Sequence, residues 1–159
     1  CTGLCAATGK PLVAGQEDCE ALASAIMAEH PLVQDEALLL MGHGTEHAAN
    51  HVYHALQEAF DKNGYRGFIG TVEGEPSFMD AVARLTASAS TRARLLPLMF
   101  VAGEHAKSDM AGEQEGSFLT CARAAGIAAH PALHGLGESE AIRALYVRRV
   151  EAALREVER

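Results

Sequence analysis

A chain of 159 residues can bury one hydrophobic core, and with 48% apolar and 21% charged residues it needs no disulfide scaffold to do so. Its net charge of −8, from 21 acidic against 13 basic side chains, combined with 5% aromatic residues and no Trp, argues against a nucleic-acid surface, which needs clustered cations and stacking rings. The apolar runs fall far short of the ~20 residues that span a bilayer, so no membrane segment is expected.

In chain order, residues 1–9 are small and poorly patterned and are expected to be irregular. Lys10 to Ala14 reads as a short strand or entry segment. From Glu17 to Glu29, Leu22, Ala23, Ile26 and Met27 recur at helical spacing, and Pro31 follows the end. Ala37 to Met41 is a continuous apolar run bounded by glycine, the pattern of a buried parallel strand. Ala48 to Asp61 is helical, with Val52, Ala55, Leu56, Ala59 and Phe60 inward and Asn63-Gly64 as the stop. Phe68 to Val72 is a strand, Phe78 to Ala87 a helix, and Ala93 to Ala102 the strongest apolar run, broken only by Pro97. Phe118 to Ala125 is a helix closed by Gly126, Ile127 to Leu133 a short strand, and Glu138 to Val157 a long final helix. Strands alternating with helices predict an α/β domain with a mainly parallel sheet and helices on both faces.

Cys1, Cys5, Cys19 and Cys121 are too few and too irregular for a disulfide framework, and no C-x-x-C occurs, so reduced thiols and a cytoplasmic setting are expected. Because residue 1 is Cys rather than Met, we expect a chain cut, processed or begun inside a longer protein. A lipid-modified N-terminal Cys, and with it a periplasmic form, is the lesser alternative.

Three strands are expected to end in a potential metal ligand: His43, between Gly42 and Gly44; Glu73; and His105. Parallel strands present their carboxyl ends on one side of the sheet, so these groups can converge from distant parts of the chain. Two imidazoles and a carboxylate suit Co, Fe, Ni or Zn, whereas an all-oxygen set would suggest Mg or Ca.

The segments Met41-Gly42-His43-Gly44, Gly70-Thr71-Val72-Glu73, Leu96 through Ala111 and Gly135-Leu136-Gly137-Glu138 closely resemble the anaerobic sirohydrochlorin cobaltochelatases, class II chelatases of cobalamin biosynthesis related to the haem ferrochelatases. The likeness runs from about Gly9 to the end and implies a three-layer, chelatase-like (flavodoxin-like) fold that inserts Co²⁺ into sirohydrochlorin. It implies His43 and His105 as metal ligands with Glu73 beside them. For metal insertion Glu73 is expected as third ligand or proton acceptor, and Gly44, Thr45, His47 and Lys107 are expected as substrate contacts. Full family members resemble two α/β halves with the tetrapyrrole held between them. This chain looks like the C-terminal half, so a missing N-terminal half, a second chain or a homo-oligomer is expected to complete the cleft. The alternative function is a non-catalytic tetrapyrrole- or metal-binding module.

Other signals have plainer readings. His47, His51 and His54 share a helix face at spacings that suit a zinc pair, yet H-E-x-x-H lacks its glutamate here and no third ligand is in place, so a solvated face is expected. Glu75, Glu104, Asp109 and Glu138 add negative charge that either guides a cation or orients the histidines. Lys107 and Arg66 are the nearest bases for substrate carboxylates, helped by N–H groups at helix N-termini. Gly135-x-Gly137 lacks the third glycine of a dinucleotide fingerprint. Met41, Met99 and Met110 read as core or pocket wall, and Cys121 as buried and inert.

Overall fold

The computed structural model describes residue 6 and residues 8–157, so the readings for Cys1 and Cys5 lie outside the described residues. Four strands form one parallel sheet in the order β2-β1-β3-β4: β1 Glu36–Gly44, β2 Gly67–Glu73, β3 Arg92–Pro97 and β4 Ala128–Pro131. The helices are α1 Gln16–Glu29, α2 His51–Lys62, α3 Phe78–Ala87, α4 Phe118–Ala124 and α5 Glu140–Val157. No helix among them is long and apolar enough to cross a membrane.

β1 is central, and its two faces serve two separate cores. Ala37, Leu39 and Met41 pack with Phe78, Val82 and Leu85 of α3 and Phe118, Leu119 and Ala122 of α4. Leu38 and Leu40 pack with Leu22 and Ile26 of α1, Leu56 and Phe60 of α2, and Ile142 of α5. The two-residue alternation of a strand makes this sorting unavoidable: odd positions meet one helical layer and even positions the other. A strand covered on both faces must be apolar throughout, which is why its sequence shows no polar alternation.

Several boundaries differ from the sequence reading. Lys10 to Ala14 forms no strand, and the first turn of the helix after β1 is a 3₁₀ turn, Ala48–Asn50. The largest difference is at β3, which stops at Pro97 rather than running to Ala102. Proline has no N–H to donate to the ladder. The Leu98 N–H still reaches the Met41 carbonyl at 2.7 Å, but the chain then leaves the sheet. The carbonyls of Met99 and Phe100 instead accept from Leu136 and Gly137 at 2.8 and 2.9 Å. Phe100 and Val101 are exposed, so the second half of that apolar run is a surface loop. Met41 and Met110 are fully buried and Met99 packs against the core, as expected, whereas Cys121 is only partly buried.

Candidate functional site

The chain leaves β1 toward α2 on one face of the sheet and leaves β3 toward α4 on the other. The two strands stay hydrogen-bonded to the end of β3, and the segments that follow them diverge, which opens a crevice outside their carboxyl ends where such sheets place ligands. His43 lies at one lip. Gly42 and Gly44 hold it there for different reasons. A Cβ on Gly42 would sit 2.4 Å from the Tyr53 ring of α2, so the missing side chain is what lets α2 close on the strand. Gly44 has φ +79°, and a Cβ there would fall 1.7 Å from the Glu73 carbonyl oxygen. Both glycines serve close packing of the scaffold around the imidazole.

His105 reaches the same crevice by another route. It lies eight residues beyond the end of β3, at the start of a helical turn that widens into π geometry over Ala106–Met110. The Ala111 N–H bonds the Ala106 carbonyl at 3.1 Å, the five-residue step that defines such a turn and that recurs at functional sites. The two rings meet edge to face, with centroids 4.8 Å apart and planes at 76°. Both are exposed. His105 Nδ1 lies 2.6 Å from Asp109 Oδ2 and His43 Nδ1 lies 3.3 Å from the Gly44 carbonyl. A carboxylate and a carbonyl are acceptors only, so each Nδ1 carries a proton, and in the neutral form of either ring the lone pair is then on Nε2.

Glu73 does not join the two rings. Its register partner is Gly44, so it shares a sheet face with Gly44 and Thr71, while His43 lies on the other face with Val72. Among the described residues, no three His, Cys, Asp or Glu side chains are gathered closely enough to hold one ion, and no preformed triad exists. The same finding covers His47, His51 and His54. His47 Nδ1 accepts the Ala49 N–H at 3.1 Å, so its Nε2 bears the proton and offers a donor. The N–H groups of Gly44 and Thr45 are taken by Tyr53 Oη at 3.2 Å and Asn50 Oδ1 at 3.1 Å, leaving these residues to supply surface rather than donors. Lys107 is exposed on the π turn, two residues from His105. Arg66 is a correction: its guanidinium binds the carbonyls of Glu36 and Val33 at the amino end of the sheet, the pole opposite His43. Glu75 is spent on its own turn, accepting the Ser77 N–H at 2.9 Å. Glu138 accepts from Gly135 N at 2.8 Å and contacts His134, and these bonds hold its carboxyl below the usual range.

The family model for cobalt chelatase (CbiK) matches residues 6–155. The chain belongs to the cobalt chelatase (CbiK) family. A relative from Salmonella typhimurium, sirohydrochlorin cobaltochelatase, is 37% identical over 147 residues, 92% of this chain and 56% of that protein. Sirohydrochlorin cobaltochelatase CbiKC of Nitratidesulfovibrio vulgaris is 35% identical over 155 residues, 96% of this chain and 55% of that one. The chain thus spans about half the length of the curated relatives it matches. Among solved structures, the cobalamin (vitamin B12) biosynthesis CbiX protein of Marinobacter aquaeolei aligns with a TM-score of 0.64 at 21% identity, over 79% of this chain and 100% of that one. DR2241 of Deinococcus radiodurans, a multi-domain protein with structural similarity to chelatases, aligns with a TM-score of 0.53 at 18% identity, over 82% of this chain and 29% of that one. At these identities the two structures speak to the fold alone.

Within this CbiK-family chain, three residues that shape the crevice carried weak signals in the sequence. Tyr53 sits on the inner side of α2 and anchors Gly44. Asn50 bonds Thr45 and also donates to the Glu75 carbonyl, tying the loop after β1 to the loop after β2. Asp109 was one acid among several near the strand ends, and the structure singles it out as the partner of His105.

Proposed function

We propose that this chain is the metal-holding part of a sirohydrochlorin cobaltochelatase, inserting Co²⁺ into sirohydrochlorin in anaerobic cobalamin biosynthesis. The observation that carries the reading is the His43–His105 pair at the crevice beyond β1 and β3, with both Nδ1 atoms facing acceptors, which leaves Nε2 as the ring nitrogen to meet an ion.

Insertion must strip water from a divalent ion, hold it against the macrocycle and remove two pyrrole N–H protons. Neutral imidazoles displace water without cancelling the charge of the ion, so the ion can pass on to the pyrrole nitrogens. Two protein ligands leave the remaining coordination positions open for water and for that transfer. The same donor set accepts Ni²⁺, Fe²⁺ and Zn²⁺, and Co²⁺ is proposed from the names of the relatives. Glu73, exposed at the end of β2, is the proposed proton acceptor rather than a third ligand. Lys107 and the Nε2–H of His47 are the proposed donors to substrate carboxylates, with Gly44 and Thr45 as the surface against which the ring lies. Exposed Val72, Phe100 and Val101 offer apolar contact to the macrocycle. A second half or a second copy would close the crevice from the other side.

The test is anaerobic incubation with Co²⁺ and sirohydrochlorin, followed by visible absorbance. Losing a group that merely orients a ligand costs about 10–100-fold, so His43→Ala and His105→Ala should each slow insertion by at least about 100-fold. Circular dichroism should be unchanged, because both rings are exposed. Near-normal turnover in both variants contradicts the reading. A stable stoichiometric complex without turnover favours the tetrapyrrole- or metal-binding module instead.

A further inference from the structure

We infer that Asp109 is a positioning residue that locks His105 in its Nδ1–H form and makes it the anchoring member of the imidazole pair, with His43 as the member that lets go first; this rests on the metal role proposed above.

The two rings are held unequally. His105 Nδ1 donates to a charged carboxylate at 2.6 Å, whereas His43 Nδ1 faces a neutral carbonyl at 3.3 Å. A charge-assisted hydrogen bond at the shorter distance is roughly twice as strong as a neutral one, and it pushes electron density through the ring to Nε2. Asp109 is itself held: Ser108 Oγ lies 3.1 Å from its second oxygen and 2.9 Å from the Glu104 carbonyl. The carboxylate side chain is only 36% exposed, against 52% for His105, so the bond is sheltered on the carboxylate side. His105 caps the π turn that carries Asp109, so the pair is local to one short element, whereas His43 stands at the end of a strand, where among the described residues no acidic side chain is bonded to it. An ion held by two ligands must break both bonds to leave, and unequal ligands fix the order, the weaker side opening first while the stronger still steers the ion.

The test uses the full chain labelled with ¹⁵N-histidine, free of metal, at a pH where both rings are neutral. Two-bond ¹H–¹⁵N correlation spectra should show His105 protonated at Nδ1. Asp109→Asn keeps an acceptor and should keep that tautomer, whereas Asp109→Ala should shift it toward Nε2–H. Co²⁺ titration followed by visible absorption should show affinity falling about 10-fold in Asp109→Asn and on the order of 100-fold in Asp109→Ala. It should also fall further in His105→Ala than in His43→Ala. An unchanged tautomer in Asp109→Ala, wild-type Co²⁺ affinity in Asp109→Asn, or equal losses in the two histidine variants overturns the inference. The tautomer is read without metal or tetrapyrrole, so a chain that shows the predicted tautomers and affinities yet never turns over refutes the chelatase reading while leaving Asp109 its role.

Discussion

At the scale of single residues, the crevice depends on small groups whose absence matters as much as their presence. Gly44→Ala places a Cβ against the Glu73 carbonyl in a left-handed backbone and should destabilise the chain by more than ~2 kcal/mol, measured by urea denaturation. Tyr53→Phe removes only the oxygen that accepts the Gly44 N–H; it should cost about 1 kcal/mol and loosen the His43 loop, measured as faster amide exchange at Gly44. His43 was legible in the sequence because an apolar run closing on glycine, histidine and glycine marks a strand end where a ligand can approach the imidazole. The placement of Glu73 was hidden for a reason of parity: without the register that pairs it with Gly44, nothing in the order of residues says which face of the sheet it takes. Asp109 was visible only as an acid four residues after a histidine, a spacing equally common on solvated surfaces. The π turn that makes the spacing productive has no marker in composition.

At the scale of elements, periodicity served well where one face is buried. The helix expected over Phe78 to Ala87 is the helix observed, because Phe78, Val82 and Leu85 repeat along one stripe and Ser77 caps its start by accepting the Asp80 N–H. It failed where an apolar run serves two purposes. Residues 93–97 are strand and 98–102 are loop, and hydropathy alone does not separate a buried segment from a surface loop. The element that aims His105 is secured at its far end by Ser117, whose hydroxyl donates to the Gly112 carbonyl at 2.6 Å and accepts the Thr120 N–H at 3.1 Å to cap α4. Ser117→Ala should therefore cost about 1–2 kcal/mol, roughly a helix cap, and should weaken Co²⁺ binding without touching the ligands. Leu40→Ala, in the core between β1 and the layer of α1, α2 and α5, should cost about 2–5 kcal/mol with Co²⁺ affinity little changed in the molecules that remain folded. The contrast between these two variants separates stability from aim.

At the scale of the whole molecule, the two poles of the sheet differ in chemistry. At the amino pole, Arg66 binds backbone carbonyls, Arg94 pairs with Glu36, and Arg92 grips Asp35 through Nε at 3.0 Å and Nη2 at 2.7 Å. At the carboxyl pole the two imidazoles are exposed, and Asp109 is bonded to one of them. The bonds from Arg92 hold the Asp35 carboxyl below the usual range. A depressed folded-state value means that the pair favours folding above the ordinary carboxylate range and that this contribution is lost as pH falls below about 4. Near pH 7 wild type should have a slightly higher urea midpoint than Asp35→Asn, and the two should converge at about pH 3; the difference is small because the pair is exposed. Alternating strands and helices made the layers legible from the sequence. Which two neighbouring strands have connections that diverge to opposite faces was not, because the order β2-β1-β3-β4 is a property of the assembled sheet. That order brings two histidines, 62 positions apart in the chain, to a ring separation of 4.8 Å. The most direct measurement is X-ray absorption at the cobalt edge of the chain loaded with one equivalent of Co²⁺. Two imidazole nitrogens on a single cobalt at about 2.0–2.1 Å are expected, falling to one in either His43→Ala or His105→Ala. A cobalt with no imidazole, or a pair that survives both substitutions, would rule out a shared ion between His43 and His105.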